Sequence, residues 1–189
     1  MIQRLALAAL MPCVVVLVRD ARSAAATAIT GLDLGMSASI AYLREHDVRG
    51  PVLSFWDRGY ELQRYAGCAT LTDGMLESEV NQRHIVATAR AFLSATTDSL
   101  DAICERFGAE YVVVPPRWYI RGVVMAAGDP LADKMAAQVP LNPEEVDRVV
   151  FRMALTGKPE PPFEPVFERG HYRIYRRLPR PLHSAPSAP

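Results

Sequence analysis

The residues with the clearest chemical potential are Trp56 and Asp57, which directly follow the apolar run Val52-Leu53-Ser54-Phe55. A tryptophan supplies a flat apolar wall and one N–H donor, and the neighbouring carboxylate accepts hydrogen bonds from hydroxyl or amide groups. A short apolar run after a proline is typical of a buried strand, and ligands of α/β proteins usually bind where strands end. The pair therefore predicts a binding site for a small hydroxyl-bearing group, such as a serine or threonine side chain.

A purely structural role for the same three residues is the alternative. Phe55 and Trp56 would then pack in the core, and Asp57 would cap the helix that follows. Both roles are compatible with the residue types and their order in the chain.

Other motifs that carry chemistry are absent from the sequence. There is no GxSxG elbow, no HExxH, no GxGxxG or Walker loop, and no Asp-x-Asp pair that would hold a metal and a diphosphate. The histidines show no metal-ligand spacing to one another or to a cysteine; they are His46, His84, His171 and His183. We expect no catalytic residue and no metal site in this chain.

The charge balance excludes one class of partner. Lysine plus arginine and aspartate plus glutamate number 21 each, so no net field would hold a nucleic-acid backbone at physiological salt. The basic stretch Arg173, Arg176, Arg177 and Arg180 either contacts anionic lipid headgroups or forms a solvated strand edge and tail.

The three cysteines do not form a disulfide framework by count or spacing. Cys13 lies in a hydrophobic segment, which leaves Cys68 and Cys104 either bridged in an oxidising compartment or buried as free thiols.

Local patterns predict a small α/β domain over residues 36–178, in which helices flank a mixed sheet and the chain closes with a β-hairpin. Proline and acidic residues at 142–145 mark a helix start, and Gly170 lies between the two alternating runs of the hairpin. Predicted helices cover 37–45, 60–65, 79–93 and 98–107, with further helices between 117 and 157. Predicted strands cover 52–55, 69–71, 111–114, 163–167 and 172–175.

The N-terminus indicates a membrane or export signal. The fourteen apolar residues from Leu5 to Val18 would span only about 21 Å as a helix, less than the roughly 30 Å of a bilayer core. Residues 1–22 are thus the end of a transmembrane helix of a longer chain, or a signal peptide or anchor. Residues 23–35 form a connector, and residues 179–189 a disordered tail.

The segment SFWDRGYELQRYAGCATLTDG at 54–74 resembles the Trp-Trp-Asp-Tyr-Gly signature region of the catalytic subunit of oligosaccharyltransferase and its single-subunit relatives. The resemblance extends over most of residues 5–178, through the order of the hydrophobic helix, connector, motif strand, helix pair and closing hairpin. This chain is similar to the C-terminal extracytoplasmic domain of these membrane glycosyltransferases of the GT-C superfamily.

The resemblance implies transfer of a glycan from a polyprenyl-diphosphate carrier to the asparagine of an Asn-x-Ser/Thr sequon. The family's triplet, which binds the sequon hydroxyl, corresponds to Phe55, Trp56 and Asp57, and Arg58 and Gly59 complete the acceptor-binding motif. Phe55 replaces a tryptophan N–H donor, and Arg58 replaces a tyrosine and is placed to form an ion pair with Asp57.

The resemblance also implies a membrane location, with the soluble domain on the periplasmic or extracellular side. The expected partners are a membrane, an acceptor polypeptide or glycan, and a polyprenyl-linked sugar donor, and nucleic acid is not one of them. The divalent metal, Mg or Mn, is expected only in a transmembrane half that this chain does not contain, so the chain itself has no cofactor. The alternative function is a non-catalytic exported or membrane-tethered α/β binding module.

Overall fold

The structure is a computed structural model that describes residues 34–73 and 78–179. The chain divides into two compact units, Met1–Ala38 and Ser39–Pro189. The predicted hydrophobic segment, nearly all of the connector and the predicted tail lie outside the described residues, so these boundaries stay predictions. In the described ranges, no helix is both long enough and apolar enough to cross a bilayer.

The strands are β1 (Pro51–Ser54), β2 (Ala69–Thr70), β3 (Tyr111–Val114), β4 (Phe163–Arg169) and β5 (Tyr172–Arg177). The α-helices are α1 (Leu34–Glu45), α2 (Gly59–Glu61), α3 (Glu79–Phe92), α4 (Asp98–Phe107), α5 (Ile120–Ala127), α6 (Leu131–Ala136), α7 (Pro143–Val146) and α8 (Val149–Thr156). Short 3-10 turns, Trp56–Arg58 and Arg117–Tyr119, precede α2 and α5, and a π-helical turn, Leu62–Ala66, follows α2. We call residues 56–66 the junction helix.

The described strands form one five-stranded mixed sheet in the order β2-β1-β3-β5-β4. Strand β1 pairs in parallel with both β2 and β3, whereas β5 is antiparallel to β3 and β4. This confirms the predicted α/β class and the closing hairpin. Because the three parallel strands run the same way, the segments that leave their carboxyl ends emerge at one edge of the sheet.

The two central parallel strands are buried on both faces, which explains their continuous apolar sequences. Leu53 and Val112 belong to the main hydrophobic cluster, and Val52 and Val113, which point to the opposite face, are buried as well. Helices α3, α4, α5 and α8 contribute further large members of the cluster, among them Phe92, Leu100, Ile120 and Met153.

Local signals placed most elements within a few residues. The predicted start at 142–145 is confirmed by a capping box, in which Asn142 and Glu145 each bind the other's backbone N–H. Helix α1 begins three residues before the predicted position, at Leu34, and β1 ends at Ser54, so Phe55 lies outside the strand. Thr97 occupies the N-cap of α4, but its hydroxyl donates to the Pro161 carbonyl instead of capping the helix.

The cysteines of the described chain, Cys68 and Cys104, are buried free thiols. Burial raises the pKa of the Cys104 thiol to about 12, which keeps it protonated and unreactive at neutral pH. The bridged alternative is therefore not the arrangement that this structure adopts.

Gly59 is fixed by a close approach of the backbone. A Cβ atom at this position would lie 1.9 Å from the Thr72 carbonyl oxygen, and the Thr72 hydroxyl in turn donates to the Ser54 carbonyl. Because backbone atoms cannot turn aside as a flexible side chain can, only glycine fits where the junction helix crosses the exit of β2.

We predict that Gly59→Ala lowers the free energy of unfolding by at least about 2 kcal/mol, since the added methyl group must displace backbone. Urea denaturation followed by circular dichroism would measure the loss. Gly50→Ala is the matched control, because a Cβ there meets no atom within 4 Å. Equal stability of the two variants would contradict the close approach.

Candidate functional site

The predicted site residues follow β1 without a gap. Phe55 continues the extended backbone, and Trp56–Arg58 then form the 3-10 turn that begins the junction helix. Because β1 and β3 are parallel neighbours, this turn lies at the same edge of the sheet as the Arg117–Tyr119 turn that follows β3. Two aromatic, charged turns are thus brought together by strand pairing.

An aromatic cluster forms the base of the site. The ring of Phe55, which is 2% exposed, lies 5.8 Å from the ring of Trp56 and 5.1 Å from that of Tyr119, the second contact being edge-to-face. Gly122 of α5 leaves room for this packing, because a Cβ there would lie 3.1 Å from the Tyr119 ring. Phe55 therefore has the structural role of a core residue.

Trp56 and Asp57 are placed differently from Phe55. Trp56 packs against the main cluster but is only half-buried. The side chain of Asp57 is 15% exposed, and its carboxylate is not used as a helix cap. The purely structural alternative thus fits Phe55, whereas Trp56 and Asp57 keep surface available at the edge of the sheet.

The Asp57 carboxylate has a close ion-pair partner for one of its two oxygens. Its Oδ2 forms an ion pair with Arg58 Nε at 3.1 Å, which is the ion pair expected from the sequence. Its Oδ1 has no well-formed hydrogen-bond partner among the described residues. This oxygen is itself buried, so the site contains a buried acceptor without a matching donor.

Opposing effects set the protonation of Asp57. Burial raises the pKa of this carboxyl to about 6, against the smaller lowering effects of Arg58 and the Tyr119 phenol. Glu61 adds a small upward contribution, while its Oε1 lies 3.4 Å from Arg58 Nη1. The carboxyl is consequently ionised at neutral pH but takes up a proton in mildly acidic solution.

Tyr119 is a site residue that the motif did not reveal. Burial and the adjacent Asp57 carboxylate raise the pKa of its phenol, so the hydroxyl stays a donor at neutral pH. The Arg58 guanidinium lies 6.0 Å from the centre of the same ring. A signal for this residue was present, because the aromatic and basic run Arg117-Trp118-Tyr119 follows a predicted strand just as residues 55–58 do.

The described residues offer no donor set for a metal. No group of three or more histidine, cysteine, aspartate or glutamate side chains within residues 34–73 and 78–179 is arranged to hold an ion. Residues 55–59 and 119 bring an indole, a carboxylate and a phenol together at this edge of the sheet.

The fold of this chain is similar to that of the α/β domain found at the C-terminus of oligosaccharyltransferases. The C-terminal globular domain of oligosaccharyltransferase AglB-S2 from Archaeoglobus fulgidus matches this chain with a TM-score of 0.56 and 14% identity, over 75% of this chain and 95% of that domain. The likeness confirms the fold that the sequence resemblance implied.

Two further solved structures are similar to this chain at lower TM-scores. A second structure of a C-terminal globular oligosaccharyltransferase domain from A. fulgidus gives a TM-score of 0.48 and 17% identity, over 76% of this chain and 90% of that one. The archaeal oligosaccharyltransferase AglB of A. fulgidus, in complex with an inhibitory peptide and a dolichol-phosphate, gives 0.47 and 16%, over 64% of this chain and 18% of that chain. No family model and no curated protein matches the sequence.

We predict that Asp57 makes the domain less stable as the pH rises from about 4 to 6. Its pKa is raised in the folded state, so over this range the folded protein binds more protons than the unfolded chain, and the free energy of unfolding falls as the pH increases. Asp57→Asn removes this contribution. The free energy of unfolding of the variant, relative to that of the wild type, should therefore increase as the pH rises over this range.

Urea titrations at several pH values would measure the effect. Asp133→Asn, which removes an exposed carboxylate of α6, controls for the loss of one negative charge. A stability difference between Asp57→Asn and wild type that is constant with pH would show that Asp57 keeps an ordinary pKa in the folded protein.

Proposed function

We propose that this chain is the acceptor-side domain of a lipid-linked glycosyltransferase that resembles oligosaccharyltransferase. The observation that carries the proposal is the Asp57 carboxylate, half-buried beside Trp56 at the carboxyl edge of the sheet, with one oxygen left without a well-formed hydrogen bond. Such a group has been partly desolvated without being satisfied, which costs free energy unless a ligand uses it.

The fold likeness supports this function. The archaeal enzyme AglB has been solved with an inhibitory peptide and a dolichol-phosphate. By analogy, we infer that the complete enzyme binds an acceptor polypeptide or glycan and a polyprenyl-linked sugar donor, at the extracytoplasmic face of a membrane.

The chemistry of transfer is assigned to another part of the enzyme. This chain spans only 18% of the length of AglB, and its described residues contain no donor set for a divalent cation. We therefore propose that transmembrane helices outside this chain hold the Mg or Mn ion and the lipid-linked donor, while this domain positions the acceptor.

In the proposed complex, the acceptor's hydroxyl group is held from two sides. The indole N–H of Trp56 donates to the hydroxyl oxygen, and the hydroxyl hydrogen is accepted by the Asp57 carboxylate. Arg58 holds the carboxylate in place and favours its ionised form. A site built in this way discriminates against an acceptor without the hydroxyl group, because the buried carboxylate would then lack its partner.

Tyr119 compensates for the missing tryptophan. The motif of the family that this chain resembles supplies a second indole N–H at position 55, where this chain has a buried phenylalanine. The Tyr119 phenol hydrogen-bonds Asp57 and remains protonated at neutral pH, so it adds a donor that holds the Asp57 carboxylate from the turn after the neighbouring strand.

We predict that a peptide containing Asn-x-Thr shifts the indole N–H resonance of Trp56 in the full chain. The matched peptide Asn-x-Val should bind at least about tenfold more weakly, since a hydrogen bond to a charged group contributes about 1.5–3 kcal/mol. Two-dimensional nitrogen–proton NMR titration gives both affinities. The indole signal of Trp118, which lies outside the site, serves as the internal reference.

The variants Trp56→Phe and Asp57→Ala should each abolish the preference for the hydroxyl-bearing peptide. Asp98→Ala, a carboxylate at the start of α4, should leave it unchanged. Equal binding of the threonine and valine peptides to the wild type would refute the proposed acceptor site.

A further inference from the structure

Two arginines of the basic stretch near the C-terminus, Arg173 and Arg177, form internal ion pairs. Arg173 lies 2.6 Å from Glu168, and Arg177 lies 2.5 Å from Asp101, which is itself buried. The Arg173 ion pair links the two strands of the hairpin, and the Arg177 ion pair links the hairpin to α4, so these two guanidinium groups are not available to an external anion. This excludes them from the lipid contact that the sequence left open.

Arginines without an ion-pair partner among the described residues lie instead on and near the Arg117–Tyr119 turn that follows β3. Arg117, Arg121 and Arg169 are exposed, and none of them forms an ion pair with a described residue. The stretch 115–125 contains no acidic residue. The charges here are therefore not neutralised locally, although the whole chain carries no net charge.

An exposed indole lies among these arginines. Trp118 is 56% exposed, and its ring meets the His171 ring edge-to-face at 4.8 Å. This contact joins the turn before α5 to the turn of the β4–β5 hairpin. Trp118, Arg121 and Met125 follow one another at helical spacing, and Met125 is 59% exposed. We call Arg117, Trp118, Arg121, Met125, Arg169 and His171 the Trp118 face.

We propose that the Trp118 face binds the surface of an anionic bilayer. Its composition is that of an interfacial segment, with an amphipathic indole and a methionine for the acyl boundary and arginines for the headgroup phosphates. The three exposed arginines of this face, which form no ion pair with a described residue, are complementary to the negative surface of an anionic bilayer.

This inference does not depend on the acceptor site. It involves none of residues 55–59, and it would hold for a membrane-associated binding module as well as for a glycosyltransferase domain. Loss of lipid binding would leave peptide binding at Asp57 intact, and loss of peptide binding would leave lipid binding intact, so the two proposals fail separately.

The test uses the full chain with vesicles of phosphatidylcholine alone or of phosphatidylcholine mixed with phosphatidylglycerol. Anionic vesicles should shift the tryptophan emission to shorter wavelength, and Trp118→Phe should remove the shift, leaving only the signal of Trp56. The comparison of the two lipid compositions separates this face from the apolar segment at residues 5–18, whose binding to a bilayer does not require anionic lipid.

The double variant Arg117→Glu/Arg121→Glu should lower the partition coefficient for anionic vesicles by at least about tenfold. Arg83→Glu/Arg106→Glu makes the same change of charge on the exposed surfaces of α3 and α4 and should have a smaller effect. Thermal unfolding checks that both variants are folded, and Arg121→Gln provides a milder substitution if the double variant is not.

Three results would overturn the proposal. The first is an emission shift of equal size on neutral and anionic vesicles, and the second is no shift on either. The third is a shift produced by poly-glutamate or by inorganic phosphate without vesicles, which would assign the face to an acidic protein or to a free anion instead of a bilayer.

Discussion

The parallel pairing of β1 with β3 is the constraint on which the site depends. Its register places Ser54 opposite Val113, so the chain leaves both strands at nearly the same level and the two following turns meet. Both strands are buried on both faces, and a slip of one residue would exchange all of their inward and outward side chains. Packing of the strands thus fixes the distance between Asp57 and Tyr119, although neither residue lies in a strand.

Charged side chains are paired in some regions of the surface and unpaired in others. The chain has equal numbers of acidic and basic residues, but they are not evenly paired in space. Arg58 lies between two carboxylates, and Arg177 reaches a buried aspartate across the packed domain. Around Trp118 the arginines have no such partners. The same edge of the sheet therefore presents a half-neutralised carboxylate on one turn and uncompensated positive charge on the next.

What could be predicted from the sequence was local. The apolar runs of β1 and β3, the capped start at Asn142 and the hairpin each follow from residues close in the chain, and the fold class follows from their order. The placement of Phe55, Trp56 and Asp57 after β1 was accessible for the same reason. The proximity of Tyr119 to Asp57 and the contact of Trp118 with His171 were not, because they arise from strand pairing between segments far apart in sequence. The ion pairs of Arg173 and Arg177 could not be predicted either, because a run of basic residues does not indicate which of them will pair with a carboxylate.

The crossing of Gly59 over Thr72 ties the binding turn to the weakest part of the sheet. Strand β2 has two residues and lies at the outer end of the strand order, with pairing on one side only. The carbonyl that excludes a side chain at Gly59 belongs to the segment leaving this strand. The turn is therefore held rigid by an edge strand, β2, that opens more readily than the interior of the sheet. Local opening of β2 would free Trp56 and Asp57 together. A ligand that stabilises the turn at Trp56–Arg58 would therefore also slow hydrogen exchange in β2.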